Sequence, residues 1–182
     1  MDIQMRKVLI SVFLVSTFFI SQGQKFKSTQ STVVFFSEAA IEDIAATNSR
    51  ATSLFDASTG EVAFLVPIGG FQFEKTLMQQ HFNEKYMESH KFPTASFEGK
   101  ITGFEKAMKG SPTVHAKGKL TIHGQTKEVE AEGTIAVVES GLVLTSSFFV
   151  ELADYKIKIP RLLWQNIAEK VEVKVHFKYE RL

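Results

Sequence analysis

His81, Glu84 and Glu88 recur at i, i+3 and i+7. On a helix that spacing puts three metal-ligating side chains on one face, and His90 would add a fourth ligand. A metal-assisted enzyme built on the His81/Glu84/Glu88 face is one reading. A solvated helix face of mixed charge has the same pattern, and it is the reading preferred here. Lys156, Lys158 and Arg161 form a cationic group around Pro160, a residue suited to opening a helix. Free N–H groups at such an opening would help the cations receive a pyrophosphate or carboxylate head. The same lysines alternate with Tyr155, Ile157 and Ile159, which also describes an ordinary solvated strand face. His115, His123 and His176 fall on the polar side of their strands, so their rings are expected in solvent. The chain has no H-E-x-x-H, no G-x-S-x-G and no phosphate loop. It has no cysteine, hence no disulfide or thiol chemistry. No catalytic residue is singled out, no cofactor is implied, and the expectation is a protein that is not an enzyme.

The elements that must position these residues are mostly strands. Ala95, Phe97, Gly99 and Ile101 alternate with polar neighbours. So do Val114, Ala116, Gly118, Leu120 and Ile122, and after them Val129, Ala131, Gly133, Ile135 and Val137. Leu142, Leu144, Ser146, Phe148 and Val150 follow, then Val171, Val173, Val175, Phe177 and Tyr179. A strict period of two makes one face dry and one wet. Shorter strand-like runs cover residues 32–36, 51–57 and 61–67. The tight turns at His123-Gly124 and Glu139-Ser140-Gly141 imply antiparallel neighbours. Eight strands, five of them long, predict an all-β fold: a closed, extended antiparallel barrel, which leaves no edge strand. Two segments break the alternation. Residues 74–88 carry Met78, Phe82 and Tyr86 in a helical stripe, which predicts a helix between strands three and four. Residues 161–170 predict a short helix before the last strand.

At 182 residues the chain suits one domain. Arg6 and Lys7 precede an uncharged apolar run at residues 8–20, and Ser21-Gln22-Gly23 follows. That is the layout of a secretory signal peptide over residues 1–23, with the domain at 24–182. The run is shorter than the roughly 20 residues that span a bilayer, though a retained anchor is the alternative. The expected location is the periplasm or outside the cell, with no stable membrane span after cleavage. Lys plus Arg number 21 against 20 Asp plus Glu, a balance that argues against a nucleic-acid partner.

The inner face of the barrel is oddly small in places. Gly99, Gly118 and Gly133 fall mid-strand, near Ala95, Ala116 and Ala131. A single glycine often marks a kink or bulge. The set together suggests an interior that side chains do not fill. Phe35, Phe64, Phe97, Phe148 and Phe177 share the inner parity with Leu120 and Val150, and would make its wall apolar. An empty void of a few hundred Å³ would cost several kcal/mol, at about 24 cal/mol per Å³. An apolar guest removes that cost.

Gln79-Gln80-His81-Phe82-Asn83-Glu84-Lys85-Tyr86, leading to Phe92-Pro93-Thr94-Ala95-Ser96-Phe97, resembles the helix-to-strand segment of the YceI family. Gly118-Lys119-Leu120-Thr121-Ile122-His123-Gly124-Gln125-Thr126-Lys127 is similar to that family's G-x-L-T-[IL]-x-G-x-T-[KR] run. Asp154-Tyr155 with Ile157 resembles its aspartate–aromatic pair. The resemblance covers roughly residues 60–177. It implies a lipocalin-like eight-stranded barrel, export to the periplasm or beyond, and a polyisoprenoid or similar long-chain amphiphile in the barrel interior. It also implies that a homodimer is possible. His81, Asn83 and Tyr86 in the matching segment are candidates for a polar rim, and Tyr155 and Ile157 for the ligand wall. The chain departs from the family pattern at Phe26-Lys27-Ser28-Thr29-Gln30-Ser31, which lacks the usual aspartate and histidine, and at Leu152, where arginine is frequent. Residues 38–48 are also unlike it. The reading is a secreted lipid-binding barrel that transports, stores or sequesters its ligand. The alternatives are the metal-assisted enzyme and a structural or stress-related module with a filled core.

Overall fold

A computed structural model describes residues 24–38, 43–105, 110–159 and 168–182. The alternating stretches become strands, because alternation buries one side of each against a common interior. They are β1 (Lys25–Ser37), β2 (Ile44–Asn48), β3 (Thr52–Asp56), β4 (Glu61–Pro67), β5 (Gln72–Phe73), β6 (Thr94–Thr102), β7 (Thr113–Ile122), β8 (Gln125–Val138), β9 (Gly141–Glu151) and β10 (Lys170–Arg181). Helix α1 (Thr76–His81) runs into a single π turn over Phe82–Tyr86, where the Met87 N–H reaches back to the Phe82 carbonyl at 2.8 Å.

The strands pair antiparallel in the order β10-β9-β8-β7-β6-β4-β3-β1, and β1 pairs with β10 to close the ring. This is the eight-stranded barrel that the alternation implies. β2 and β5 occupy no extra place in it. The start of β1 faces β3 (Phe26 opposite Phe55) and its end faces β2 (Phe35 opposite Ala46). β2 and β3 are therefore two pieces of one barrel strand. β5 likewise carries on beyond β4, pairing with β2 (Thr47 opposite Gln72).

The break between β2 and β3 is held by Asn48. Its Nδ2 donates to the Pro67 carbonyl at 2.7 Å, and its Oδ1 accepts the Arg50 N–H at 2.8 Å. A short amide can replace missing ladder bonds in this way, and the side chain is fully buried.

Aromatic rings fill one half of the barrel. Phe26 contacts Phe55, which also meets Phe104 and Tyr179; Tyr179 leads to Phe177, then to Phe64 and Phe97. Successive centroids lie 5.0–6.5 Å apart, the range of favourable ring packing. The buried Tyr179 hydroxyl is paired with Ser53 Oγ at 2.6 Å. These rings come from β1, β3, β4, β6 and β10, with Phe104 from just after β6, and together they pack that half of the barrel. No helix among the described residues is long and apolar enough to cross a membrane. The expected signal peptide, most of the expected second helix, and Arg161 lie outside the described residues.

Candidate functional site

The other half of the barrel is hollow. A cavity of about 340 Å³ begins at the Phe64, Phe97 and Phe177 rings and runs toward α1. Its wall is thin where the inward residues are small. Ala116 faces Ala131 across β7 and β8, Gly133 faces Ser146 across β8 and β9, and Ala95 completes the set on β6. Ala95, Ala116, Val129, Ala131, Phe148, Val173 and Val175 point inward yet are only partly covered. What leaves them accessible is the cavity that all of them line.

The roof is aromatic. Phe35 stacks on Phe82 at 5.4 Å and meets Phe71 and Phe73 edge-on at 5.5 and 5.6 Å. Met78, Phe82 and Tyr86, the stripe visible in the sequence, turn inward here with Met87. The sequence declares that stripe and Phe35, but not Ile44, Phe71, Phe73 or Leu152, which also line the space. An apolar residue in a short strand or turn has no periodicity to declare its direction.

Polar groups are scarce in this wall. The Ser146 hydroxyl donates to the Glu132 carbonyl at 2.5 Å, and Ser37 Oγ accepts the Ala168 N–H at 2.9 Å. Ser96, His81 and Tyr86 are the remaining polar side chains of the lining. Burial holds the Tyr86 phenol above its ordinary pKa. No lysine or arginine among the described residues lines the cavity.

Of the residues singled out in the sequence, Phe35, Phe64, Phe97, Leu120, Ala131, Gly133, Phe148, Val150, Ile157, Phe177, His81 and Tyr86 surround the cavity. Several others do not. Gly99 and Gly118 face each other across β6 and β7 and do not open the interior. A Cβ on Gly118 would sit 2.3 Å from the Glu98 carbonyl oxygen and 2.5 Å from Gly99 Cα. One on Gly99 would meet the Lys117 carbonyl oxygen at 2.5 Å and the tip of the Phe97 ring at 2.7 Å. These two glycines serve close approach of the backbones, and Phe97 takes the space above them. Tyr155 is buried beside the barrel wall in a 3-10 turn (Leu152–Tyr155), with its phenol raised by burial and secondarily by Asp154. Asn83 turns its amide back to the Gln79 carbonyl at 2.9 Å. Lys156 and Lys158 are exposed and border nothing in the cavity.

The helix-face residues part company. His81 Nε2 lies 3.1 Å from Lys85 Nζ, Glu84 accepts the Gln80 amide at 3.2 and 3.3 Å, and Glu88 pairs with Lys91. The π turn shifts the register after Phe82, so the i, i+3, i+7 face does not survive. No group of three His, Asp or Glu among the described residues converges on a metal position.

His123 corrects a different expectation. Its side chain is 11% exposed, not solvated. The turn at His123-Gly124, with φ of 50° and 71°, rotates the ring out of strand parity and beneath the segment that follows the π turn. Phe92 packs edge-on at 4.4 Å, Nδ1 lies 3.2 Å from the Tyr155 carbonyl, and Nε2 is 3.3 Å from Glu88 Oε2, an ion-pair distance without good hydrogen-bond direction. This ring ties the roof segment to the β7–β8 turn and the 3-10 turn. His115 is exposed, as expected, and His176 is half-buried on the outer face beside Thr145.

The family model of the YceI-like domain matches residues 22–179. No curated protein sequence matches the chain. Among solved structures, a polyisoprenoid-binding domain from Saccharophagus degradans, implicated in plant cell wall breakdown, aligns with a TM-score of 0.74 at 13% identity. That alignment covers 86% of this chain and 98% of the other. BcnA from Burkholderia cenocepacia gives 0.69 at 17% identity, with 81% and 94% covered. The Campylobacter jejuni YceI protein gives 0.53 at 14% identity, with 100% and 91% covered. At these identities the likeness is one of fold.

Proposed function

The chain belongs to the YceI-like family, and we propose on that footing that it is a lipid-binding barrel holding one long apolar chain, of the polyisoprenoid class, without chemical turnover. The observation that carries this is the hollow half of the barrel. Its wall over about 340 Å³ is almost entirely apolar, a lining that offers water few partners and suits an apolar guest. A long hydrocarbon seated there gains about 0.8 kcal/mol per buried methylene. The S. degradans relative, a polyisoprenoid-binding domain, supports the class of guest.

The site of action proposed is the periplasm or the exterior. The support is the leader-like layout of residues 1–23. Transport, storage and sequestration share the same binding step.

Titrating geranylgeraniol into the purified protein while following thermal unfolding tests binding. A ligand at 100 times its Kd stabilises the folded state by about 2.7 kcal/mol. That corresponds to an upward Tm shift of roughly 5–10 °C for a domain of this size. A melting curve unmoved by saturating geranylgeraniol, in protein shown to carry nothing already, refutes the proposal.

A further inference from the structure

The cavity is not uniform along its length. Its floor of phenylalanines offers no polar atom, whereas its roof carries two polar side chains from one short helical segment, His81 and Tyr86. They are five residues apart. On a regular α-helix that separation turns one about 140° from the other, so they would not share a face. The wider winding of the π turn, closed by Met87 N–H to the Phe82 carbonyl at 2.8 Å, brings both onto the same lining. A π turn inside a helix is frequently found at functional positions.

Their hydrogen-bonding chemistry is specific. The Lys85 ammonium has only protons to give, so at 3.1 Å it donates to His81 Nε2. With Nε2 accepting, the ring proton is on Nδ1, which is left as a donor. The Tyr86 phenol, raised above its ordinary pKa by burial, has no hydrogen-bond partner among the described residues. Both side chains are left with a proton to donate. No lysine or arginine among the described residues lines the cavity: Lys85 is exposed and meets His81 at Nε2, and Lys156 and Lys158 are exposed and outside the lining. An anion brought inside would lose its water without meeting a cation in the lining itself.

We propose that Tyr86 and His81 form the head-group end of this cavity and select a chain ending in a neutral oxygen acceptor, a hydroxyl or carbonyl, against one ending in phosphate. This rests on the apolar-chain reading above and adds an orientation to it: the hydrocarbon tail lies toward Phe64, Phe97 and Phe177, and the oxygen lies at the π turn.

The test is displacement of N-phenyl-1-naphthylamine from the full chain by three competitors sharing one carbon skeleton: farnesol, farnesyl pyrophosphate and the saturated hydrocarbon farnesane. Farnesol is expected to compete at least tenfold better than the pyrophosphate. Tyr86→Phe should weaken farnesol about three- to tenfold, the fold-change of one lost neutral hydrogen bond, and leave farnesane unchanged. His81→Phe should act in the same direction. Equal or better competition by the pyrophosphate overturns the inference, as does a parallel loss of farnesol and farnesane in Tyr86→Phe, which would mark a role in shape alone. Equal competition by farnesol and farnesane in the native protein also overturns it while leaving the apolar-chain reading intact. Failure of all three competitors, farnesane included, removes that reading and this inference with it.

Discussion

Replacing Ala131 by leucine distinguishes a hollow wall from a packed one by the sign of its effect. Ala131 lies on β8 opposite Ala116, points inward and is only partly covered. Leucine adds three carbons. If they enter the cavity without displacing anything, their burial stabilises the ligand-free protein by up to about 2 kcal/mol. For a domain of this size that raises Tm by roughly 4–8 °C. The same three carbons take up room a guest would use, so chain binding should fall while stability rises. Gly118→Ala is the matched contrast on the neighbouring strand. Its single added methyl would sit 2.3 Å from a backbone oxygen of β6, and an overpacked site of this kind loses about 1–3 kcal/mol. Thermal unfolding of both variants after removal of any bound lipid, with geranylgeraniol titrations beside it, reads both effects. Ala131→Leu destabilised by 1–3 kcal/mol, as overpacking of a solid core would be, would refute the reasoning.

Asn48→Ala should cost about 1–3 kcal/mol in urea unfolding, because it strands the Pro67 carbonyl and the Arg50 N–H. Tyr179 titrates far above its ordinary 10.0 because it is buried, the Ser53 hydrogen bond opposing only in part. Its contribution is therefore fully present below pH 10 and is lost as pH rises beyond that value. Tyr179→Phe should remove this alkaline loss from a stability-versus-pH curve, at the cost of an unpaired Ser53. The Lys91 hydrogen bond, more than the charge on Lys91 or His123, depresses Glu88 below 4.5. Its contribution is present above the ordinary carboxylate value and lost as pH falls through the lowered one, so Glu88→Gln should flatten the acid limb of the same curve.

The barrel was legible because its long strands bury one face only. Every second residue of β6 to β10 therefore declares its direction, and the ring closure follows from the strand number. β2 was not legible. Ile44-Ala45-Ala46-Thr47-Asn48 is too short and too rich in small residues to show a period, and the break after it is made by one asparagine side chain. The aromatic wall and the alanines of the hollow half were readable from parity. The glycines were not, because an inward glycine reports missing bulk without saying whether a cavity or another backbone occupies the space. Gly133 borders the cavity; Gly99 and Gly118 border each other. His123 was misplaced for a related reason: strand parity ends where a turn with positive φ begins. The His81/Glu84/Glu88 face was an α-helical extrapolation through a segment that winds as a π turn.

The most direct measurement is mass spectrometry of an organic extract of the protein as purified, with the amount of each species set against the amount of protein. The expected result is a long-chain apolar molecule close to one per barrel, lost in parallel from Ala131→Leu. An extract free of any such molecule, from protein whose cavity is seen by crystallography to be closed by its own side chains, would contradict the hollow-barrel account.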